Sequence, residues 1–204
     1  MIKNIIFDFG DVFINLDKPA TVNRLTEING KFTVSDKMDQ MNKFYEKGLV
    51  STSEFVSFYM SIFPKISKNT LIDAWNAIIL DLPENRIEFL EKLSKENNYR
   101  LFLLSNTNAL HIDHVIKNIG AERFNRFKNC FEQFYLSHEI NFRKPDLDIY
   151  KFVLNENNLK PEETLFIDDV EENTTAAASL NIITWNLKPG VDEVTTLLEQ
   201  TFLL

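Results

Sequence analysis

Four short apolar runs, Lys3 to Phe9, Arg100 to Ser105, Thr164 to Asp168 and Ile182 to Trp185, constrain the fold of this chain more than any other feature. Each is rich in Ile, Leu and Phe and stops at polar or turn-forming residues, the pattern of a parallel strand buried on both faces. Helical periodicity fills the intervals. It runs over Pro83 to Glu96 with Ile87, Leu90 and Leu93, over Asp146 to Asn157 with Ile149, Tyr150, Val153 and Leu154, over the alanine-rich Glu171 to Leu180, and over Val191 to Gln200. Strand and helix alternate, which predicts an α/β protein with a doubly wound parallel sheet and right-handed crossovers.

The stretch from Leu16 to Leu82 interrupts this alternation with about four helical patterns and no convincing strand, so it reads as an inserted helical module. Asp17 is placed to cap a helix with Pro19 in its first turn. Ser51-Thr52-Ser53-Glu54 has capping-box spacing before Phe55, Phe58 and Tyr59, and a further helix is expected from Ser67 to Ile79. Residues 1–15 and 83–204 then form a core and 16–82 an insertion. It leaves the sheet just after Asp8, where a helical module can close over a site and exclude water. Phe44, Tyr45 and Trp75 lie on its helices, as core aromatics or as pocket lining.

Charge narrows the partners. Lys and Arg total 22 against 30 Asp and Glu, a net charge of −8, with no basic cluster, so nucleic acid is not an expected partner. No uncharged run is long enough to span a membrane, and none resembles a signal segment. The single cysteine, Cys130, cannot make an internal disulfide, which fits a reduced, cytoplasmic setting. Monomer and homodimer both stay open.

The chemistry gathers at the strand ends, which converge on one edge of a parallel sheet. Ile5-Ile6-Phe7 runs into Asp8-Phe9-Gly10-Asp11, Leu101 to Leu104 runs into Ser105-Asn106-Thr107-Asn108, and Leu165-Phe166-Ile167 runs into Asp168-Asp169 with Asn173 beyond. Arg143-Lys144-Pro145-Asp146 opens a helix between them. A lone strand-end carboxylate, a hydroxyl beside an amide, a lysine and paired carboxylates suit phosphoryl transfer: hard oxygen ligands for Mg²⁺, and donors for phosphate oxygens. His111 and His114, three apart on a helix, have no zinc-site context and read as surface or capping residues. His138 carries no chemical signal.

The order and spacing of these clusters resemble the four motifs of the haloacid dehalogenase-like hydrolase superfamily, carried by FDFGDV, LLSNTN, RKPD and FIDDVEEN. With His111 and the Lys47-Gly48-Leu49-Val50-Ser51 and Phe55 segment, the chain is similar to the bacterial sugar-1-phosphate phosphatase group. The resemblance implies a Rossmann-like core with a C1-type helical cap. It implies Asp8 as the nucleophile that becomes an aspartyl-phosphate. It also implies Mg²⁺ held by Asp8, the Gly10 carbonyl and Asp169, with Asp168 assisting from the outer shell. Ser105 and the Asn106 backbone would hold phosphate oxygens, Lys144 would offset charge on Asp8 and the phosphate, and Asn173 would fix Lys144 or a metal-bound water. The substrate would be a small phosphorylated metabolite.

Motif I departs from the usual pattern, because the second aspartate that protonates the leaving group is Gly10 here. A positioned acid contributes about 10²- to 10⁴-fold, so its loss favours anomeric, acyl or aryl phosphates over simple alkyl esters. Asp11 is the obvious substitute, although strand alternation points it away from Asp8 unless the chain turns sharply at Gly10. Two rival readings remain: a metal-independent 2-haloacid dehalogenase, which the Asp168-Asp169 pair argues against, and a regulatory protein on a weakened enzyme scaffold.

Overall fold

The computed structural model describes residues 1–96 and 98–200. Residue 97 and residues 201–204, assigned to the core by sequence, lie outside the described residues. The chain runs β1 (Asn4–Phe7), α1 (Ala20–Asn29), α2 (Asp36–Glu46), α3 (Thr52–Ile62), α4 (Lys68–Asn76), α5 (Glu84–Glu96), β2 (Arg100–Ser105), α6 (Ala109–Ile119), α7 (Ala121–Lys128), β3 (Gln133–Leu136), α8 (Ser137–Ile140), α9 (Leu147–Glu156), β4 (Thr164–Asp168), α10 (Glu171–Ala178) and β5 (Ile183–Asn186).

The strands form one parallel sheet in the order β3-β2-β1-β4-β5. Side chains alternate across it, as strand geometry requires. Ile5, Phe7, Leu101, Leu103, Leu165 and Ile167 join the core under α5, α6 and α7, whereas Ile6, Phe102, Leu104 and Phe166 meet α9 and α10 on the opposite face. β1 lies at the centre, flanked by β2 and β4, so the residues following these strands come together at one edge. This is the doubly wound architecture expected from sequence.

Several local expectations need correction. The sheet has a fifth strand, β3. Val194–Glu199 is a 3-10 helix rather than an α-helix. Asp17 does not cap α1 through its side chain; its carbonyl accepts from Ala20 N. The Ser51–Glu54 capping box is present in full, with Ser51 Oγ accepting from Glu54 N and Glu54 Oε2 accepting from Ser51 N.

Helices α1 to α4 follow β1 and have an apolar cluster of their own, including Leu25, Met38, Tyr45, Phe55, Tyr59, Phe63 and Leu71. Phe55 is central: it stacks on Tyr45 with ring centroids 4.2 Å apart and meets Trp75 edge-on at 4.6 Å. The end of α2 is fastened to the core segment around α8. Asn141 Nδ2 donates to Lys47 O at 2.8 Å, Lys47 pairs with Asp146 at 2.8 Å, and Arg143 Nε donates to Glu46 Oε2 at 3.1 Å. Gly48 has φ +65°, and a side chain there would strike the His138 carbonyl, which explains glycine at this close approach.

Candidate active site

Backbone pairing between β1 and β4 continues one residue past β1, with Asp8 N donating to Ile167 O at 2.8 Å, so Asp8 is carried by a fully buried pair of strands. Lys144, only 1% exposed, reaches it from the segment before α9. Its Nζ donates to Asp8 Oδ1 and to Asp168 Oδ2, each at 2.6 Å. Asn173 Nδ2 donates to both oxygens of Asp168 at 3.0 Å, and Val170 N donates to Asp168 Oδ1 at 2.8 Å. Asn173 thus acts on Lys144 through Asp168 rather than by touching it.

One carboxylate oxygen from each of Asp8, Asp168 and Asp169 lies within 4.8 Å of the other two. Burial is the main influence on Asp8 and pushes its carboxyl up to about 7; Lys144 opposes this and Asp168 reinforces it. Asp169 is also raised, first by burial, with Lys18 opposing. Burial alone would depress Lys144, but Asp168 and Asp8 outweigh it and hold the ammonium above its usual range. Hard oxygen donors crowded beyond the charge that Lys144 can offset fit a divalent cation such as Mg²⁺.

Ser105 is buried at the end of β2 and lines the cavity next to Asn106. Asn106 is committed through its side chain: Nδ2 donates to Lys144 O at 2.8 Å while Oδ1 accepts from Lys144 N at 2.9 Å. That reciprocal pair fixes the lysine backbone. Asn108, rather than Ser105 or Asn106, is the N-cap of α6, with its side chain accepting from His111 N.

The turn at Gly10 decides the fate of Asp11. Asp11 takes φ +52°, its Oδ1 accepts from Leu16 N at 3.0 Å, and its Oδ2 pairs with Lys18 at 2.9 Å. Both oxygens therefore serve the turn. At Gly10 itself, an added Cβ would lie 3.6 Å from Asp8 Oδ2 but 2.8 Å from Leu16 Cδ1. A methyl of Leu16 fills the space that a side chain at position 10 would need.

Three residues that the sequence reading did not single out also belong here: Leu16, Lys18 and Glu46. Lys18 pairs with Asp169 Oδ2 at 2.6 Å as well as with Asp11. Glu46 lines a cavity of about 130 Å³ together with Gly10, Leu16, Ser105, Asn106 and His111. Leu16 and Lys18 are brought in by the turn that Asp11 closes after Gly10, and Glu46 by the packing of the insertion, and no local pattern marks the three. His111 stacks on Trp75 with centroids 5.4 Å apart, its Nε2 faces Trp75 O, and burial pushes its imidazole down to about 4. His114 instead contacts Asn118, so the two histidines do not form a metal pair.

A family model described as haloacid dehalogenase-like hydrolase matches residues 5–186. The chain is 24% identical over 201 residues to a D-ribitol-5-phosphate phosphatase of Bacteroides thetaiotaomicron, covering 94% of this chain and 95% of that one. It is 24% identical over 205 residues to a glyceraldehyde 3-phosphate phosphatase of Methanocaldococcus jannaschii, covering 93% and 86%. Among solved structures, a wild-type haloacid dehalogenase family enzyme of Bacteroides thetaiotaomicron in complex with magnesium and inorganic phosphate superposes with a TM-score of 0.79 at 33% identity, covering 94% and 97%.

Proposed function

This chain belongs to the haloacid dehalogenase-like hydrolase family, and on that premise we propose that it is a Mg²⁺-dependent phosphatase of small phosphorylated metabolites, acting through an aspartyl-phosphate on Asp8. The observation that carries this reading is Lys144 Nζ at 2.6 Å from both Asp8 and Asp168, beside a third carboxylate on Asp169. A haloacid dehalogenation does not need that excess of acidic oxygen, whereas a cation site does. Mg²⁺ would be held by Asp8, Asp169 and the Gly10 carbonyl, with Asp168 adjoining. When bound, it supplies charge neutralisation for the phosphate oxygens.

A carboxylate oxygen of Asp8 attacks phosphorus, the bond from phosphorus to the ester oxygen breaks, and the leaving alkoxide takes its proton from a water molecule. Water then attacks the same phosphorus and gives up a proton to solvent, the bond from phosphorus to the Asp8 oxygen breaks, and inorganic phosphate is released with Asp8 restored. Lys144, the Ser105 hydroxyl and the Asn106 N–H stabilise the charge on the phosphate through both steps. Asp168 and Asn173 are positioning residues that hold Lys144 against Asp8. Asp11 is a turn-holding residue rather than a proton donor. Helices α1 to α4, within residues 16–82, act as the cap over a core of 1–15 and 83–204, shielding Asp8 from bulk water.

Relatives named for ribitol 5-phosphate and glyceraldehyde 3-phosphate favour a phosphorylated polyol or sugar. A second, narrower reading is favoured by Leu16 filling the space beside Gly10: sugar 1-phosphates, whose leaving group needs less protonation. The test is a panel of phosphorylated metabolites, including matched sugar 1- and 6-phosphates, assayed with Mg²⁺ and with chelator. Asp8→Asn serves as the blank. Activity that is lost with chelator and regained with Mg²⁺ is expected; activity in Asp8→Asn, or equal kcat/KM for the two sugar esters, removes the covalent route or the narrower reading respectively.

A further inference from the structure

Two cavities meet between the sheet edge and the insertion. The first, about 130 Å³, lies over Gly10, Ser105 and Asn106; the second, about 210 Å³, is lined by insertion residues including Lys18, Asn42 and Tyr59. Glu46, Ile78 and His111 line both. A substrate held at Ser105 and Asn106 in the first cavity would meet these three side chains on reaching into the second. Ile78 offers only apolar surface. The His111 ring nitrogens are taken by Trp75 O and the Asn108 side chain. Glu46 is different: Arg143 Nε holds Oε2, and Oε1 accepts no hydrogen bond among the described residues.

The carboxylate is also fixed in place. Glu46 ends α2, next to the Lys47–Asp146 pair and the Lys47–Asn141 hydrogen bond, and Arg143 directly precedes Lys144. A carboxylate with one oxygen held by Arg143, on a side chain that lines both cavities, has capacity to accept further hydrogen bonds. Neutral hydroxyls supply them. A second anion is repelled, and Lys18, the cation lining the inner cavity, is already taken by Asp11 and Asp169.

Resting on the phosphatase reading above, we propose that Glu46 is the specificity-determining residue of this site: it accepts hydrogen bonds from hydroxyls on the carbon chain of the substrate and turns away phosphomonoesters with a second anionic group. Burial, opposed by Arg143, holds the Glu46 carboxyl above its ordinary range, which fits a group short of polar partners.

The test compares wild type, Glu46→Ala and Glu46→Gln on D-ribitol 5-phosphate, on n-pentyl phosphate, which has the same carbon count without hydroxyls, and on 3-phosphoglycerate. Loss of a hydrogen bond to a charged group predicts that Glu46→Ala lowers the kcat/KM ratio of ribitol phosphate to pentyl phosphate by about 10- to 100-fold, chiefly through KM. Glu46→Gln should recover part of that ratio and raise kcat/KM on 3-phosphoglycerate, a gain that a misfolded variant cannot produce. A ratio unchanged in Glu46→Ala, or a wild type that prefers 3-phosphoglycerate to ribitol phosphate, overturns the assignment. Wild type inert on all three esters but active with Mg²⁺ on p-nitrophenyl phosphate overturns this assignment alone, and inertness on p-nitrophenyl phosphate as well overturns the phosphatase reading itself.

Discussion

Replacing Lys144 with Met tests the electrostatic centre of the site. The ammonium is 1% exposed and sits 2.6 Å from Asp8 Oδ1 and from Asp168 Oδ2. Methionine has a similar volume, so the change removes charge and leaves the packing nearly intact. Removing one partner of a buried ion pair costs about 3–5 kcal/mol, because the remaining charge is left without compensation. For a domain of this size that corresponds to a fall in Tm of about 6–20 °C.

The pH dependence has a definite sign. Asp8 rises from 3.8 to about 7 with Lys144 opposing the rise, so in Lys144→Met it rises further. A carboxyl whose folded pKa exceeds its unfolded value costs stability as pH climbs from the unfolded toward the folded value. The extra cost of the variant through Asp8 is therefore absent below pH 7, where Asp8 is protonated in both proteins, and present above it. Thermal or urea unfolding in chelator at pH 6 and pH 8.5 measures this. The gap between the two proteins should be wider at pH 8.5. A variant within about 1 kcal/mol of wild type at pH 8.5, or a gap that widens in acid, refutes the picture of Lys144 as the counter-charge.

Mg²⁺ binding should be linked to a proton. With Asp8 at about 7, the cation must displace that proton below neutrality. Titration calorimetry at pH 6 in buffers of different ionisation enthalpy should show proton release, and affinity should tighten by up to about tenfold from pH 6 to 7; buffer-independent heats would contradict this. Gly10→Asp brings its Cβ to 2.8 Å of Leu16 Cδ1, the free end of a flexible side chain that can turn aside, so the variant should stay within about 1 kcal/mol of wild type. It should raise kcat on alkyl phosphates more than on aryl phosphates, and a parallel change on both ester types would argue against an acid at position 10.

The three central strands, β2, β1 and β4, were legible because each is a continuous apolar run buried on both faces. The sequence assignments for β2 and β4 coincide with the observed Arg100–Ser105 and Thr164–Asp168, and β5 is displaced by one residue. Gln133–Leu136 escaped notice because it is an edge strand with an exposed glutamine and two half-buried aromatics, too short and too mixed to show a period. Val194–Glu199, with β-branched Val194, Thr195 and Thr196 leading it, carries little helix propensity and settles into the tighter 3-10 form.

Asp8, Ser105, Asn106, Asp168 and Asp169 could be placed together because strand ends in a parallel sheet share an edge, and Lys144 because it opens the helix between two of those strands. Leu16, Lys18 and Glu46 could not. Leu16 and Lys18 depend on the turn that Asp11 closes after Gly10, and Glu46 on how α1 to α4 pack around Phe55, neither of which has a local signature. Asn173, expected to fix Lys144 or a metal-bound water, donates to Asp168, which in turn accepts from Lys144.

The claim on which the rest depends is that Asp8 takes up the phosphoryl group. Borohydride added to enzyme turning over a phosphomonoester with Mg²⁺ reduces an acyl phosphate, and peptide mass spectrometry then locates it. The account predicts homoserine at position 8 in wild type and none in Lys144→Met or in the absence of substrate. An enzyme that turns over normally, yields an unmodified Asp8 and carries the label on another residue would contradict it.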